Sequence, residues 1–144
     1  DNYYMNIALR EAKLAADEGE VPVGAVVVCN GQIIAKSHNQ TERLGDVTAH
    51  AEMLALTAAA NVLGGKYLND CTLYVTLEPC TMCAGAMRWC QLDRVVFGAD
   101  DVKNGYRRFA PNVMHPKTVV DCGIMCEECS RIVSEFFKER RNNN

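Results

Sequence analysis

The sequence predicts an α/β fold in three layers, α/β/α, with helices on both faces of a mixed sheet. Two observations predict it. The β-rich runs Gly24–Cys29 and Gln32–Ser37 meet at Asn30-Gly31, the strongest short signal for a two-residue hairpin. After that hairpin, strand-like and helix-like segments alternate to the C-terminus, which requires parallel pairing and helical crossovers beside the antiparallel pair.

The elements follow in order. Tyr4 to Asp17 is a helix with Met5, Ala8, Leu9, Ala12, Ala15 and Ala16 on one face. After the hairpin, Asp46-Val47-Thr48 marks a second helix start, with Asp46 or Thr48 as cap. Ala49 to Val62 continues it until Gly64-Gly65. Thr72 to Thr76 is a strand, and Pro79 suits the first position of a helix running from Cys80 to Trp89. Arg94 to Gly98 is a strand, followed by a long irregular stretch. The last helix runs from about Glu127 to Arg140, with Cys129, Ile132, Val133, Phe136 and Phe137 as its apolar stripe. Apart from the Asn142 to Asn144 tail there is no repeat, linker or low-complexity segment.

With 144 residues, 49% of them hydrophobic and 23% charged, the chain suits a single domain over 1–144. A chain of that size buries roughly 70% of the surface its unfolded form exposes. Eight cysteines without a signal-like start point to a reducing, cytoplasmic setting, where thiols line the core or bind metal. The longest apolar stretches are far below the roughly 20 residues of a membrane span, so no membrane partner is expected.

The chemistry lies in two short motifs. His50-Ala51-Glu52 is followed, 27 residues after the glutamate, by Pro79-Cys80-Thr81-Met82-Cys83. Each motif alone is weak. Together they supply one imidazole, two thiolates and a spare carboxylate. Three protein ligands, a fourth position left to water and a glutamate to move protons make a catalytic zinc site, whereas a structural site would not use the glutamate. His50 and Glu52 fall in a first helical turn, and Cys80 and Cys83 share one face of the next helix start. The partial positive charge of a helix N-terminus favours the thiolate that zinc requires. One zinc ion per chain is the cofactor expected, held by His50, Cys80 and Cys83, with Glu52 catalytic. The rival is a four-cysteine structural module of Cys80, Cys83, Cys126 and Cys129. The 42 residues between its two pairs exceed the usual gap of about 15 to 20, and Cys129 already belongs to the apolar stripe.

H-A-E with P-C-x-x-C resembles the zinc-dependent cytidine/deoxycytidylate deaminase superfamily. Val21 to Val26, His38-Asn39, Thr48 to Glu52, Thr72 to Ala86, Arg94 to Ala99 and Phe136-Phe137 are similar, in order, to the bacterial tRNA-specific adenosine deaminases. The resemblance implies a five-stranded, cytidine-deaminase-like sheet and a homodimer. It implies hydrolytic conversion of adenosine to inosine at the wobble position of a tRNA anticodon: zinc-bound hydroxide attacks C6, Glu52 shuttles the proton and ammonia leaves. It places Asn39 and Ala51 against the substrate. The alternative is a deaminase of a free nucleobase or nucleoside, of guanine, cytosine or adenosine type. One departure is plain: where the family usually runs Gly-Ser-Leu, this chain reads Gly105 and then Tyr106-Arg107-Arg108-Phe109-Ala110-Pro111.

Charge bears separately on the substrate. Residues 1–72 carry five Lys/Arg against nine Asp/Glu, and residues 73–144 ten against nine, giving net −4 and +1 in a chain of net −3. Val102 to Val120 holds Lys103, Arg107, Arg108 and Lys117 with no acid, interleaved with Tyr106 and Phe109. Cations hold phosphates and rings stack unpaired bases, so this stretch is a candidate contact for a tRNA anticodon stem-loop. Phe137, Lys138 and Arg141 on the last helix extend it. No DNA partner is expected.

Overall fold

The computed structural model describes residues 1–142, so the last two residues of the Asn tail lie outside it. The elements are α1 (Asn2–Asp17), β1 (Gly24–Cys29), β2 (Gln32–His38), α2 (Thr41–Leu44), α3 (Ala51–Leu63), β3 (Cys71–Leu77), α4 (Thr81–Cys90), β4 (Arg94–Ala99), α5 (Tyr106–Phe109), β5 (Val119–Cys122) and α6 (Cys126–Asn142). The five strands form one mixed sheet in the order β2-β1-β3-β4-β5. β1 pairs antiparallel with β2 and β3, and β3–β4 and β4–β5 are parallel. Asn30 and Gly31 both have positive φ, the backbone a two-residue turn requires here.

Because helices cover both faces, successive residues of one strand enter two different cores. Ala25 and Val27 of β1, Leu73 and Val75 of β3, and Val95 and Phe97 of β4 pack with α3 and α4. Val26, Val28, Tyr74 and Val96 pack with α1 and with Cys129 of α6. Close approach is built into the sequence at two glycines. A Cβ on Gly24 would run into the Ala8 carbonyl of α1, and one on Gly98 into the Cys129 thiol of α6. Cys129 is therefore sealed against β4 on the face away from α3 and α4.

Three expectations differ from the structure. The irregular stretch after β4 contains α5 and the edge strand β5, whose mixed exposure hides the alternation that would mark a strand. β5 is held by its neighbour: the Val119 amide donates to the Asp93 carbonyl, and Arg94 pairs with Asp121 at 2.9 Å. The helix starts also move. Asp46 accepts hydrogen bonds from the Thr48 amide and hydroxyl within a turn, and α3 begins only at Ala51. Pro79 precedes the cap of α4 rather than opening the helix. Finally, the α6 stripe is buried only at Cys129, while Phe137 is 40% exposed. Among the described residues, no helix is long and apolar enough to cross a membrane.

Candidate active site and metal centre

The site lies at one end of the sheet, where β2, β3 and β4 terminate and β1 begins. α3 and α4 start there side by side on one face. Their N-cap residues are His50 and Cys80, both extended in backbone, and neither uses its side chain to cap the helix. Cys83 lies one turn into α4, and Glu52 is the second residue of α3. Two N-cap side chains and one from a first turn thus converge on a point between two helix N-termini.

His50 Nδ1 lies 3.6 Å from Cys80 Sγ and 3.5 Å from Cys83 Sγ, and the three ligand atoms fall within 4.8 Å of one another. Nitrogen and sulfur ligands of a tetrahedral zinc, at about 2.0–2.1 and 2.3 Å from the metal, stand about 3.6 Å apart. The donor set therefore fits one zinc ion in both type and spacing. The backbone of Val47 accepts a hydrogen bond from the imidazole, which leaves Nδ1 facing the sulfurs. The thiol hydrogen bond from Cys83, assisted by His50, holds the Cys80 thiol down to about 4. Cys83, the donor in that contact and buried, is pushed far up, and Cys80 raises His50.

Glu52 is 4% exposed, and burial pushes its carboxyl up to about 7. Together with His50 and Cys80 it lines a cleft of about 1100 Å³. Asn39 also lines it. Asn39 is 9% exposed, and among the described residues its side-chain amide has no hydrogen-bond partner, so both ends remain for a ligand. Ala51 is completely buried in the core below α3, and only its backbone N–H, unused at the start of the helix, remains to meet a substrate.

The cationic and aromatic residues divide. Lys103, Phe109, Phe137 and Arg141 line the cleft. Arg108 stands nearby, with its guanidinium over the Phe109 ring at 5.2 Å and donating to the Lys103 carbonyl. Lys138 is exposed on α6 outside the cleft lining. Arg107 is different: its guanidinium is engaged by Glu78 at 2.9 Å and Asp100 at 2.8 Å, which removes it from the cations free to meet a phosphate. The four-cysteine module does not assemble. Cys126 is exposed and Cys129 lies on the opposite face of the sheet from Cys80 and Cys83.

Two carboxylates that hold the loops around the site escaped the sequence reading. Buried Glu20 accepts the amides of Glu42 and Arg43, fixing α2 just after Asn39. Buried Glu78 accepts the amides of Asp101 and Arg107, fixing the segment after β4. Burial would raise both, but these donors, with Arg107 for Glu78, hold both carboxyls below the ordinary value. Neither belongs to a spaced motif, and only its position before Pro79-Cys80 could have drawn notice to Glu78.

A soft three-ligand metal site with a buried glutamate at the floor of a cleft defines the class: a zinc-dependent deaminase. The chain belongs to the cytidine and deoxycytidylate deaminase family, whose zinc-binding region matches residues 1–99. Within that class it is 48% identical to the tRNA-specific adenosine deaminase of Aquifex aeolicus (strain VF5), over 98% of this chain and 96% of that one. It is 47% identical to the tRNA-specific adenosine deaminase of Bacillus subtilis (strain 168), over 98% of this chain and 91% of that one. A structure solved in biochemical and structural studies of A-to-I editing by tRNA:A34 deaminases matches with a TM-score of 0.86 at 41% identity. That match covers 92% of this chain and 99% of the other.

Proposed function

We propose that residues 1–144 work as one deaminase domain that converts adenosine to inosine at the wobble position of a tRNA anticodon. The observation that carries this reading is the shape and lining of the cleft. At about 1100 Å³ it lies at the upper end of the range for small-molecule pockets, and its lining reaches well beyond the metal ligands. Phe109 and Phe137 offer faces for unpaired bases, and Lys103 and Arg141 offer charge for phosphates.

His50, Cys80 and Cys83 would hold a zinc ion, whose Lewis acidity would lower the pKa of a water to about 7. The remaining work belongs to side chains. Glu52 takes a proton from the attacking water as oxygen bonds to C6 of the purine and delivers it to the neighbouring ring nitrogen; it then takes the remaining hydroxyl proton and gives it to the amine as the C6–N bond breaks. Water and adenosine become inosine and ammonia. Burial, which raises the Glu52 carboxyl, favours its holding a proton between the two transfers. Asn39 hydrogen-bonds the purine edge, and the Ala51 amide faces the reacting base.

The homodimer reading is supported by apolar side chains left exposed at the ends of α3 and α4, Val62, Tyr67 and Trp89 among them. A cytoplasmic location is supported by eight free cysteines. The deciding experiment is mass-spectrometric detection of inosine in an anticodon stem-loop with adenosine at the wobble position, with free adenosine, cytidine, adenine and guanine in parallel. Inosine in the RNA alone supports this function. Deamination of a free base or nucleoside alone replaces the substrate and keeps the chemistry.

A further inference from the structure

Asp100, Asp101, Lys103 and Asn104 form one wall of the cleft on a segment with little regular structure of its own. Glu78, 5% exposed and two residues before the ligand Cys80, anchors it by accepting the Asp101 amide at 3.0 Å and the Arg107 amide at 3.2 Å. Gly105 lets the chain pass, because a Cβ there would run into the Glu78 carboxylate. Gly105 also forms a bridge with Cys80, and the Tyr106 amide donates to the Pro79 carbonyl at 2.9 Å. The wall is thus tied to the backbone that presents a zinc ligand.

Arg107 closes this arrangement from behind. It is absent from the cleft lining. Its Nε donates to Glu78 Oε2 at 3.1 Å, and its Nη2 donates to Glu78 Oε1 at 2.9 Å and to Asp100 Oδ1 at 2.8 Å. The guanidinium also sits 4.9 Å from the centre of the Phe97 ring, which is wholly buried. One planar fork therefore joins the core, the carboxylate before Cys80 and the cleft wall. Glu78, Asp100 and Asp101 all line the cleft, and Arg107 pairs with two of these three carboxylates, its one positive charge offsetting part of their negative charge where a polyanion would enter.

We propose that Arg107 is a positioning residue. It clamps the 100–105 wall onto Glu78 and offsets part of the wall's negative charge, so that the cleft accepts an RNA strand. This rests on the RNA substrate reading above. It assigns a purpose to the point where the chain leaves the family's Gly-Ser-Leu pattern. A lysine would keep the charge but cannot reach three oxygens with a planar fork.

The test uses the zinc-loaded protein with Arg107→Ala and Arg107→Lys. Arg107→Ala raises KM for the anticodon stem-loop by about tenfold and changes kcat much less, because the contact shapes binding rather than the reacting atoms. The Asp101 amide, which donates to Glu78, exchanges faster with deuterium. Arg107→Lys keeps Glu78 compensated and the fold intact, and shifts KM and exchange in the same direction by about threefold. A lysine variant equal to wild type in both readouts overturns the proposal. So does an alanine variant that loses thermal stability while KM stays put. If the wild-type protein leaves the stem-loop unchanged, the substrate reading fails, and Asp101 exchange in Arg107→Lys decides the clamp: faster upholds it, unchanged overturns it.

Discussion

At the scale of single residues, the site depends on environments more than on identities. Glu52 is one of ten glutamates and one of four that are buried; Glu20 and Glu78 are held low by the amides they accept, whereas burial raises the proton affinity of Glu52. Glu52→Gln keeps the shape and loses the shuttle. Its kcat should fall by about 10²–10⁴-fold while metal analysis still finds one zinc per chain. Loss of zinc in that variant would instead make Glu52 part of the metal's support. Cys83 carries the opposite expectation. Cys83→Ala removes a ligand buried below α4, so zinc content and melting temperature should fall together. Full zinc occupancy in that variant would remove Cys83 from the ligand set.

At the scale of elements, the cleft depends on how α1 and the hairpin meet. Gly24 opens β1 directly beneath α1, and the neighbour a Cβ would strike is backbone, which cannot swing aside. Gly24→Ala should cost about 2–3 kcal/mol in urea unfolding, a typical overpacking penalty. A cost within about 0.5 kcal/mol, the ordinary surface range, would show that α1 can lift freely. The end of β2 is held by His38, whose ring nitrogens contact Glu11 at 3.1 Å and Glu18 at 2.8 Å. Burial would lower the His38 pKa, but the two carboxylates hold it above its ordinary 6.5. The protonated ring therefore contributes stability that is fully present below about 6.5 and is lost as pH rises through the folded value. The stability advantage of wild type over His38→Gln should be largest near pH 5.5 to 6 and shrink towards about pH 9. An advantage that grows with pH would reverse the assignment.

At the scale of the whole molecule, a chain of net −3 attracts RNA through the distribution of its charge rather than its sum. Lys103 in the cleft and Arg108 beside it are the cations to remove. Lys103→Ala with Arg108→Ala should weaken stem-loop binding and reduce the slope of log K against log salt by about 1.5. An unchanged slope would move the RNA surface elsewhere, towards Arg141 and the end of α6.

What the sequence determined by itself was local. Asn30-Gly31 dictates a hairpin because few residue pairs accept positive φ twice, and the period of Met5, Ala8, Leu9 and Ala12 dictates which face of α1 is buried. The metal donors were legible because His50 with Glu52, and Cys80 with Cys83, are spaced by the geometry of a helix start. Tertiary structure decided matters that no short window contains. It put His50 within 3.6 Å of both sulfurs across 30 and 33 residues, and it sent Cys129 to the opposite face of the sheet. It made a strand of Val119–Cys122 by giving it β4 as a partner, and it carried the end of α6 to the cleft. It also turned Arg107 from one cation in a basic run into the partner of Glu78 and Asp100. Charge and period are properties of a segment, whereas the partner of a charge depends on which distant carboxylates the fold buries beside it.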